Sequence, residues 1–408
     1  MGFFDARRAP AVVKHGLLRR YCPAFAHKAG SRTGGRVTFL DGYAGAGCYD
    51  DDTPGSPLVL LEAARSVADR RDVDAVFIER DPATYARLEE VLADRCKGQP
   101  YLPLPGDVDD HLEEVMRRSN DRALFAFLDP FGPALSRERL CWLLKQRAQR
   151  RLPTDVLLHV SVRSVWNFGS RLTKAKREQR PLNAQDEAFA GHLDRFLGPD
   201  WWRSDFEDAA VVSDPTGSER IAAIALRVAQ RYADAVGKET GYLPVSMPVR
   251  RRPERAPIFV LTLFTAHAAG VWLFADCIGQ AGLDWEEAWR DAEASKEGPD
   301  GQMGLFSGGD VSIFDRDAFE RNHEEQWISI IQSNIDKLLD ERRPLVLQDH
   351  TAAVFGSTLG TGARGKHARE AVKRLYRAGQ VDHKGTGNFE RDRMLRPVQR
   401  QWPSGATG

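Results

Sequence analysis

Acidic and glycine residues with chemical potential follow a short apolar run near the start of the chain. The run Val37–Leu40 is rich in β-forming residues, which favours a buried strand, and Asp41 ends it. Gly42, Gly45 and Gly47 follow, giving the spacing D-G-x-x-G-x-G. Glycines permit positive φ and let a ligand approach the backbone. The pattern predicts a strand that opens into a ligand-binding turn, as in doubly wound α/β proteins.

The spacing of this turn discriminates between cofactors. It differs from the dinucleotide fingerprint G-x-G-x-x-G and lacks the Lys-Ser/Thr pair of a phosphate loop. S-adenosylmethionine carries a sulfonium and an α-amino group but no phosphate, so a carboxylate beside the turn suits it. We therefore expect Asp41, Gly42, Gly45 and Gly47 to bind S-adenosylmethionine. An ordinary glycine-rich turn is the alternative.

Two further acids follow the next predicted strands. Glu79 ends the apolar run Val73–Ile78, and a carboxylate there can accept hydrogen bonds from both hydroxyls of a ribose. Asp107 follows the extended segment Tyr101–Gly106, where this architecture delivers a polar side chain to the adenine amino group. The alternative at Glu79 is a solvated strand end. The aspartates next to Asp107 are alternative candidates for its role.

An aspartate, a proline and an aromatic ring follow the fourth apolar run, Ala123–Leu128. Methyltransferases that act on nucleic-acid amines carry D/N-P-P-Y/F/W here. Its side-chain oxygen and a backbone carbonyl accept from the amine, and the ring stacks on the flipped base. This chain has Asp-Pro-Phe-Gly, without the second proline and with the aromatic one place early. The catalytic candidates are Asp129, Pro130 and Phe131, and a tight turn closed by Pro and Gly is the alternative.

The elements that must position these residues alternate between strands and helices, which indicates a parallel α/β sheet. A helix is predicted over residues 10–28, and a fifth strand over Asp155–Val162. Leu243–Arg250 and Pro257–Phe264 are joined by a basic turn, as an antiparallel pair requires. The sequence thus predicts a Rossmann-like, seven-stranded class I methyltransferase sheet over residues 1–295.

The last part of the chain differs in composition. Residues 296–324 contain Glu-Gly-Pro-Asp-Gly and Ser-Gly-Gly-Asp, which is typical of a linker. Residues 325–408 predict three helices and a β-hairpin wing, the order of a winged helix-turn-helix domain, and the tail is locally basic. A protein-docking or dimerising winged helix is the alternative.

Basic side chains in two regions favour contact with DNA or RNA. One set recurs at three- and four-residue spacing on a single helix face, as in a groove-reading helix. This set is Lys366, Arg369, Lys373 and Arg377. A second set comes after the fifth strand and is expected on the carboxyl-end face beside aromatic residues, although a solvated charge run is equally compatible. This set is Lys174, Lys176 and Arg177.

Length and composition limit the remaining classes. A chain of 408 residues exceeds the usual single domain, and its formal net charge of zero says nothing about partners. Its five cysteines form no C-x-x-C pair, which argues against zinc, iron–sulfur and disulfide frameworks and fits a reducing cytoplasm. We expect a cytoplasmic protein without a metal, a signal peptide or a membrane span.

With these residues in place, the chain resembles the three-Cys-motif partner protein (TcmP) family over roughly residues 1–165. The matching stretches are Lys14-His15 with Leu17–Tyr21, Phe39–Gly47, Gly55–Leu58, Phe77–Arg80 and Leu128–Gly132. The family looks like class I methyltransferases and is named for a partner with a three-cysteine motif of the radical S-adenosylmethionine type, a motif that this chain lacks. The resemblance implies a cofactor site and such a partner, and it leaves the substrate open.

Three functions remain open on these residues. The first is methylation of a base amine in DNA or RNA, in which Asp129 orients the nucleophile and Phe131 stacks. In-line methyl transfer needs mainly positioning, so no metal is required. The second is a binding module without catalysis, which the imperfect tetrapeptide favours. The third is a nuclease, which is weaker because each acid follows a different strand and PD-(D/E)xK spacing is absent.

Overall fold

Seven strands form a single mixed sheet in the order β3-β2-β1-β4-β5-β7-β6. The computed structural model describes residues 5–130, 132, 135–199, 201–208, 211, 217–294, 314–342 and 344–397. The strands are β1 Arg36–Asp41, β2 Asp72–Glu79, β3 Tyr101–Pro105, β4 Ala123–Leu128, β5 Thr154–Val160, β6 Leu243–Val249 and β7 Phe259–Thr265. Neighbouring strands are parallel except β7, which is antiparallel to β5 and β6. The predicted class I methyltransferase sheet is therefore confirmed.

Helices cover both faces of this sheet. They are α1 Asp5–Gly30, α2 Ser56–Arg65, α3 Pro82–Arg95, α4 Val108–Arg118, α5 Arg137–Gln149, α6 Val162–Arg177, α7 Ala184–Leu197, α8 Ser204–Glu207, α9 Ser218–Thr240, α10 Ala268–Ala294, α11 Arg316–Glu341, α12 Thr351–Phe355 and α13 Gly365–Arg377. One core joins a face of the sheet to α4–α7 and α9, and a second joins the other face to α1–α3 and α10. Central strands such as β4 are apolar throughout because both of their faces are buried. In the described part of the chain, no helix is long and apolar enough to span a bilayer.

Helix α1 is fixed over the sheet by polar contacts at two of its residues. The Tyr21 hydroxyl donates to Oδ2 of Asp155, a buried carboxylate on β5, at 2.7 Å. Arg20 donates to both carboxylate oxygens of Asp284 on α10, at 2.5 and 3.0 Å. Arg316 of α11 donates to the same Asp284 carboxylate at 2.6 Å. These bonds set the position of α1 and connect it to the helices that follow the sheet.

The C-terminal helices pack on α10 rather than standing apart from it. Ala275 and Leu283 of α10 belong to the apolar core formed by α11, α12 and α13. Helix α11 begins at Arg316, where the Asp315 side chain caps it by accepting from the Ala318 backbone N–H at 2.8 Å. The predicted linker therefore ends earlier than residue 324, and its residues 296–313 lie outside the described residues.

The predicted wing is not formed by strands. Residues 379–397 make turns and one β-bridge, between Met394 and Leu345. Gly379, just after the helix, and Gly385 and Gly387, in the turns that follow, have φ of +69°, +71° and +58°. The winged-helix assignment of 325–408 stays a prediction.

Candidate functional site

The glycine turn after β1 is fastened across the neighbouring strand ends. The Gly42 N–H donates to the Phe127 carbonyl of β4 at 3.0 Å. The Ala44 N–H donates to the Ile78 carbonyl of β2 at 2.9 Å. The turn therefore lies at the carboxyl ends of β1, β2 and β4, where parallel α/β sheets bind their ligands.

Two glycines of this turn adopt left-handed conformations for different reasons. Gly47, with φ of +80°, faces α3, and a Cβ there would stand 3.1 Å from Leu88 and 3.2 Å from Val91. Gly45 has φ of +62°, and no described atom lies within 4 Å of the position that its Cβ would take. Gly47 therefore leaves no room for a side chain against α3, whereas Gly45 borders open space that a ligand could fill.

Asp41 is a buried acid with one unpaired oxygen. Its side chain is fully buried, and Oδ1 accepts from the Tyr43 N–H at 3.1 Å. Burial raises the pKa of Asp41 to about 7, a shift that the nearby Ser56 hydroxyl reduces. No hydrogen bond of good geometry reaches Oδ2 from the described residues. A buried carboxylate oxygen without a partner is costly, so this position favours a neutral Asp41 or a positive charge nearby.

Glu79 and Asp107 follow the next two strands in the sheet. Glu79 accepts the Gly45 N–H on Oε2 at 2.9 Å and the Asp81 N–H on Oε1 at 2.8 Å. Each oxygen keeps a second lone pair, so ribose hydroxyls can still be accepted. Asp107 precedes α4, its side chain makes no capping hydrogen bond and is 57% exposed, and Arg80 lies 3.6 Å away. Both carboxylates lie at strand ends and retain capacity for a ligand, and their roles stay predictions.

Asp129, at the end of β4, is held by a lysine from α1. Lys14 Nζ donates to Oδ1 and Oδ2 at 2.6 and 2.7 Å. Nδ1 of His159, on β5, lies 2.6 Å from Oδ1. Burial raises the pKa of Asp129, but Lys14 and His159 together outweigh it and hold that pKa well below its ordinary value. Asp129 is therefore ionised at neutral pH, and both of its oxygens already have a partner.

Aromatic and imidazole rings surround this ion pair. Lys14 Nζ stands 4.8 Å from the centroid of the Phe259 ring, against which His159 packs edge-on at 4.4 Å. Burial lowers the pKa of His159, and its Nε2 has no hydrogen-bond partner among the described residues. Burial, Arg19 and Lys14 lower the pKa of His15 to about 4. Both imidazoles are thus neutral at pH 7.

Of the other two predicted catalytic residues, the structure describes one. Pro130 is buried directly after Asp129, whereas Phe131 lies outside the described residues. The hydroxyl of Tyr43, in the glycine turn, accepts from the Leu135 N–H at 3.1 Å. This bond connects the glycine turn to the segment that follows the tetrapeptide.

The basic set after β5 does not lie beside Asp129. Instead of a loop at the strand end, the chain forms α6, which begins at Val162 and ends at Arg177. At about 1.5 Å per residue, Lys174 lies roughly 18 Å along the helix axis from Val162, and Lys176 and Arg177 lie further. The expectation that this set shares the carboxyl-end face was wrong, because the helix carries it away.

The basic set on α13 is largely engaged within the protein. Lys366 pairs with Glu320 at 2.9 Å. Arg369 donates to the Gly385 and Gly387 carbonyls and lies 4.4 Å from the centroid of the Phe389 ring. Lys373 and Arg377 both pair with Glu370, at 3.4 and 3.1 Å. These internal partners reduce the charge that the helix presents, and nucleic-acid binding by this face stays a prediction.

Sequence reasoning gave Lys14 and His159 no role, although both contact Asp129. Lys14 stands in the Lys14-His15 pair that the family resemblance includes, which was the available signal. His159 is a single polar residue within the apolar stretch Val156–Val160 of β5, a pattern more often structural. Among the described residues, no group of three or more His, Cys, Asp or Glu side chains is arranged to hold a metal ion.

Comparison with known proteins adds little to this geometry. No family model matches the chain, and no curated protein does. A Legionella pneumophila protein is similar at 11% identity and a TM-score of 0.33, covering 65% of this chain and 86% of its own. The methyltransferase domain of bacterial CtHen1 is similar at 13% identity and a TM-score of 0.31, covering 61% of this chain and 99% of its own. Mycolic acid cyclopropane synthase CmaA1, in complex with S-adenosylhomocysteine, is similar at 14% identity and a TM-score of 0.24, covering 59% of this chain and 82% of its own. The fold assignment therefore rests on the strand order.

We expect Lys14→Met to lower the free energy of unfolding by about 2 kcal/mol at pH 7, because it removes the ammonium from a mostly buried carboxylate. The lowered pKa of Asp129 makes its contribution to stability present at neutral pH and lost as the pH falls below about 4. The difference between variant and wild type should therefore shrink at pH 3. Urea denaturation at both pH values measures this, with Lys28→Met, an exposed lysine of α1, as the control. Equal stabilities of all three proteins at pH 7 would contradict the prediction.

Proposed function

We propose that this protein is an S-adenosylmethionine-dependent methyltransferase. The observation that carries the proposal is the glycine turn at the carboxyl ends of β1, β2 and β4, which begins at the buried Asp41 and has open space at Gly45. Asp41 and the glycine turn, including Gly42 and Gly47, would hold the methionine part. Glu79 would accept from the ribose hydroxyls, and Asp107 from the adenine amino group. The cofactor supplies a methyl group on a cationic sulfonium, for which a site edged by carboxylates is suited.

The acceptor in this proposal is an exocyclic amine of a base in DNA or RNA. Asp129 would accept from the amine and orient its lone pair, with the Pro130 carbonyl as second acceptor and Phe131 as stacking ring. Lys14 keeps Asp129 ionised and in place. Oδ2 accepts one hydrogen bond from Lys14, and its second lone pair is available for the amine. Positioning of this kind can supply most of the rate in a direct displacement.

Further parts of the proposal concern partners. The basic residues on α13 would add contacts to phosphate groups, and a winged-helix role for 325–408 would place them on nucleic acid. Action together with a three-cysteine partner of the radical S-adenosylmethionine type rests on the resemblance of roughly residues 1–165 to the TcmP family. A cytoplasmic location fits the cysteine usage.

A binding module without catalysis is the second candidate. It is favoured by the two hydrogen bonds from Lys14, which occupy both Asp129 oxygens and compete with an incoming amine. In that case the sheet would hold the cofactor or a partner, and Asp129 would serve to anchor α1. Cofactor binding and turnover separate the two candidates.

Gly45→Ala should weaken S-adenosylmethionine binding at least tenfold, because the methyl group enters the space beside the turn. Gly98→Ala is the matched control: Gly98 has φ of +79°, also has no described atom within 4 Å of its Cβ position, and lies in a turn between α3 and β3. Both substitutions carry the same backbone strain of about 1–2 kcal/mol. Isothermal titration calorimetry should show the loss in Gly45→Ala alone. Equal affinities of both variants and wild type would refute the cofactor site.

Asp129→Ala should reduce methyl transfer about 100-fold or more while cofactor affinity changes less than threefold, because Asp129 contacts the acceptor and not the cofactor. The assay is transfer of labelled methyl groups from S-adenosylmethionine to randomised single-stranded DNA and RNA. A variant rate near wild type would remove Asp129 from the mechanism. Cofactor binding by wild type without transfer to either nucleic acid would favour the binding module.

A further inference from the structure

A cavity of about 730 Å³ lies between the edge strand β6 and helix α11. Its walls are formed by Ser246–Val249 of β6 with the following Arg250, by Trp285 of α10, by Trp327 of α11 and by the segment 356–361. This volume is within the range of small-molecule sites and is sufficient for one or two nucleotides. Neither the predicted cofactor site nor the ion pair at Asp129 uses this space.

The strand that forms one wall is unsuited to pairing with another strand. Pro244 and Pro248 interrupt β6, and β6 is the last strand of the sheet. Proline has no N–H to donate, so an edge that contains two prolines resists the addition of a peptide strand. The occupant of the cavity is therefore recognised by side chains and not by backbone pairing.

The lining combines aromatic rings with neutral polar groups. The His323 ring packs 4.0 Å from Phe319 and 5.8 Å from Trp327, centroid to centroid. Exposed Gln326 and Ser357 add an amide and a hydroxyl. The lining carboxylate, Glu286, is neutralised by Arg290 at 2.6 Å. Planar heterocycles with donors and acceptors on their edges, such as nucleobases, match this combination.

A basic turn stands at one end of the cavity. Arg250 and Pro253 of this turn line the cavity, and the Trp285 indole N–H donates to the Arg250 carbonyl at 3.0 Å, which fixes the turn to the cavity wall. Its exposed cations are Arg250, Arg251, Arg252 and Arg255. Such a cluster beside a neutral, aromatic cavity suits a polymer with charged phosphates and uncharged bases.

The cavity also approaches the acceptor side of the site. Val13 lines it, and the next residue, Lys14, holds Asp129. The basic turn leads into β7, whose first residue, Phe259, lies under the Lys14 ammonium. A strand of nucleic acid with one base at Asp129 would therefore have its neighbouring nucleotides within reach of this cavity.

We propose that this cavity binds the nucleotides flanking the target base in a single-stranded nucleic acid, with the Arg250–Arg255 turn contacting their phosphates. The choice of nucleic acid as the occupant rests on the proposed function. Stacking and edge contacts in the cavity and phosphate contacts at the turn are separable, because the former are insensitive to salt and the latter are not.

The test is fluorescence anisotropy of labelled single-stranded 12-mers of DNA and RNA between 50 and 200 mM salt. The double variant Arg251→Glu/Arg255→Glu should lose at least tenfold in affinity and have a shallower dependence on salt, by about 1.4 in the logarithmic slope for two phosphates. Ser357→Trp, which fills the cavity from an exposed position, should lose affinity without changing that slope.

Matched controls are available for both variants. Lys97→Glu/Arg150→Glu reverses two exposed charges at the amino end of the sheet, and Ala353→Trp adds an exposed indole on α12 at a position that does not line the cavity. Both should bind the oligonucleotides as wild type does. Wild-type affinity in both Ser357→Trp and the arginine variant, or no binding of DNA or RNA by wild type, would overturn the cavity proposal.

Cofactor titration in the same proteins distinguishes this proposal from the proposed function. The cavity variants should bind S-adenosylmethionine as wild type does. If wild type binds no cofactor but the cavity variants still lose oligonucleotide, the methyltransferase proposal fails and the cavity proposal stands. If cofactor binds and methyl transfer occurs while the cavity variants bind oligonucleotides as wild type does, the methyltransferase proposal stands and the cavity proposal fails.

Discussion

The buried carboxylate of Asp41 is the constraint on which the site depends. It closes β1, the strand that lies between β2 and β4, so the acids that end those strands, Glu79 and Asp129, stand to either side of it. Burial and these neighbouring charges all raise its pKa. The proposed cofactor would lower this cost by bringing a positive charge close to the carboxylate. The glycine turn beside it supplies the space, because Gly45 leaves its outer side open.

The pKa of the second acid, Asp129, is shifted in the opposite direction. Lys14 offsets its burial, so two carboxylates at adjacent strand ends have pKa values shifted in opposite directions. The ammonium reaches Asp129 because α1 is fixed to β5 by Tyr21 and to α10 by Arg20. Since α10 also packs against the C-terminal helices, α1 connects the Asp129 side of the site with the rest of the chain.

Much of the sheet could be predicted because buried parallel strands are continuous apolar runs, and the acids that end them mark their carboxyl ends. Contacts between distant residues could not be predicted in this way. Lys14 and Asp129 are 115 residues apart, and no local sequence pattern indicates that they form a pair. The continuation of α6 to Arg177 removed a basic set from the site, because helix length is poorly encoded in a charged, helix-compatible stretch. Residues 379–397 form one β-bridge and no strand, so the winged-helix assignment stays a prediction.

Proton release on cofactor binding tests the central claim most directly. With a pKa of about 7, Asp41 is mostly protonated at pH 6, and a bound cationic group lowers that pKa, so binding at pH 6 should release close to one proton from Asp41. Calorimetric titration with S-adenosylmethionine at pH 6, in two buffers of different ionisation enthalpy, measures this number, with Asp41→Asn as the control. The account predicts release by wild type and none by the variant. Cofactor binding with no proton release, or with equal release by both proteins, would contradict it.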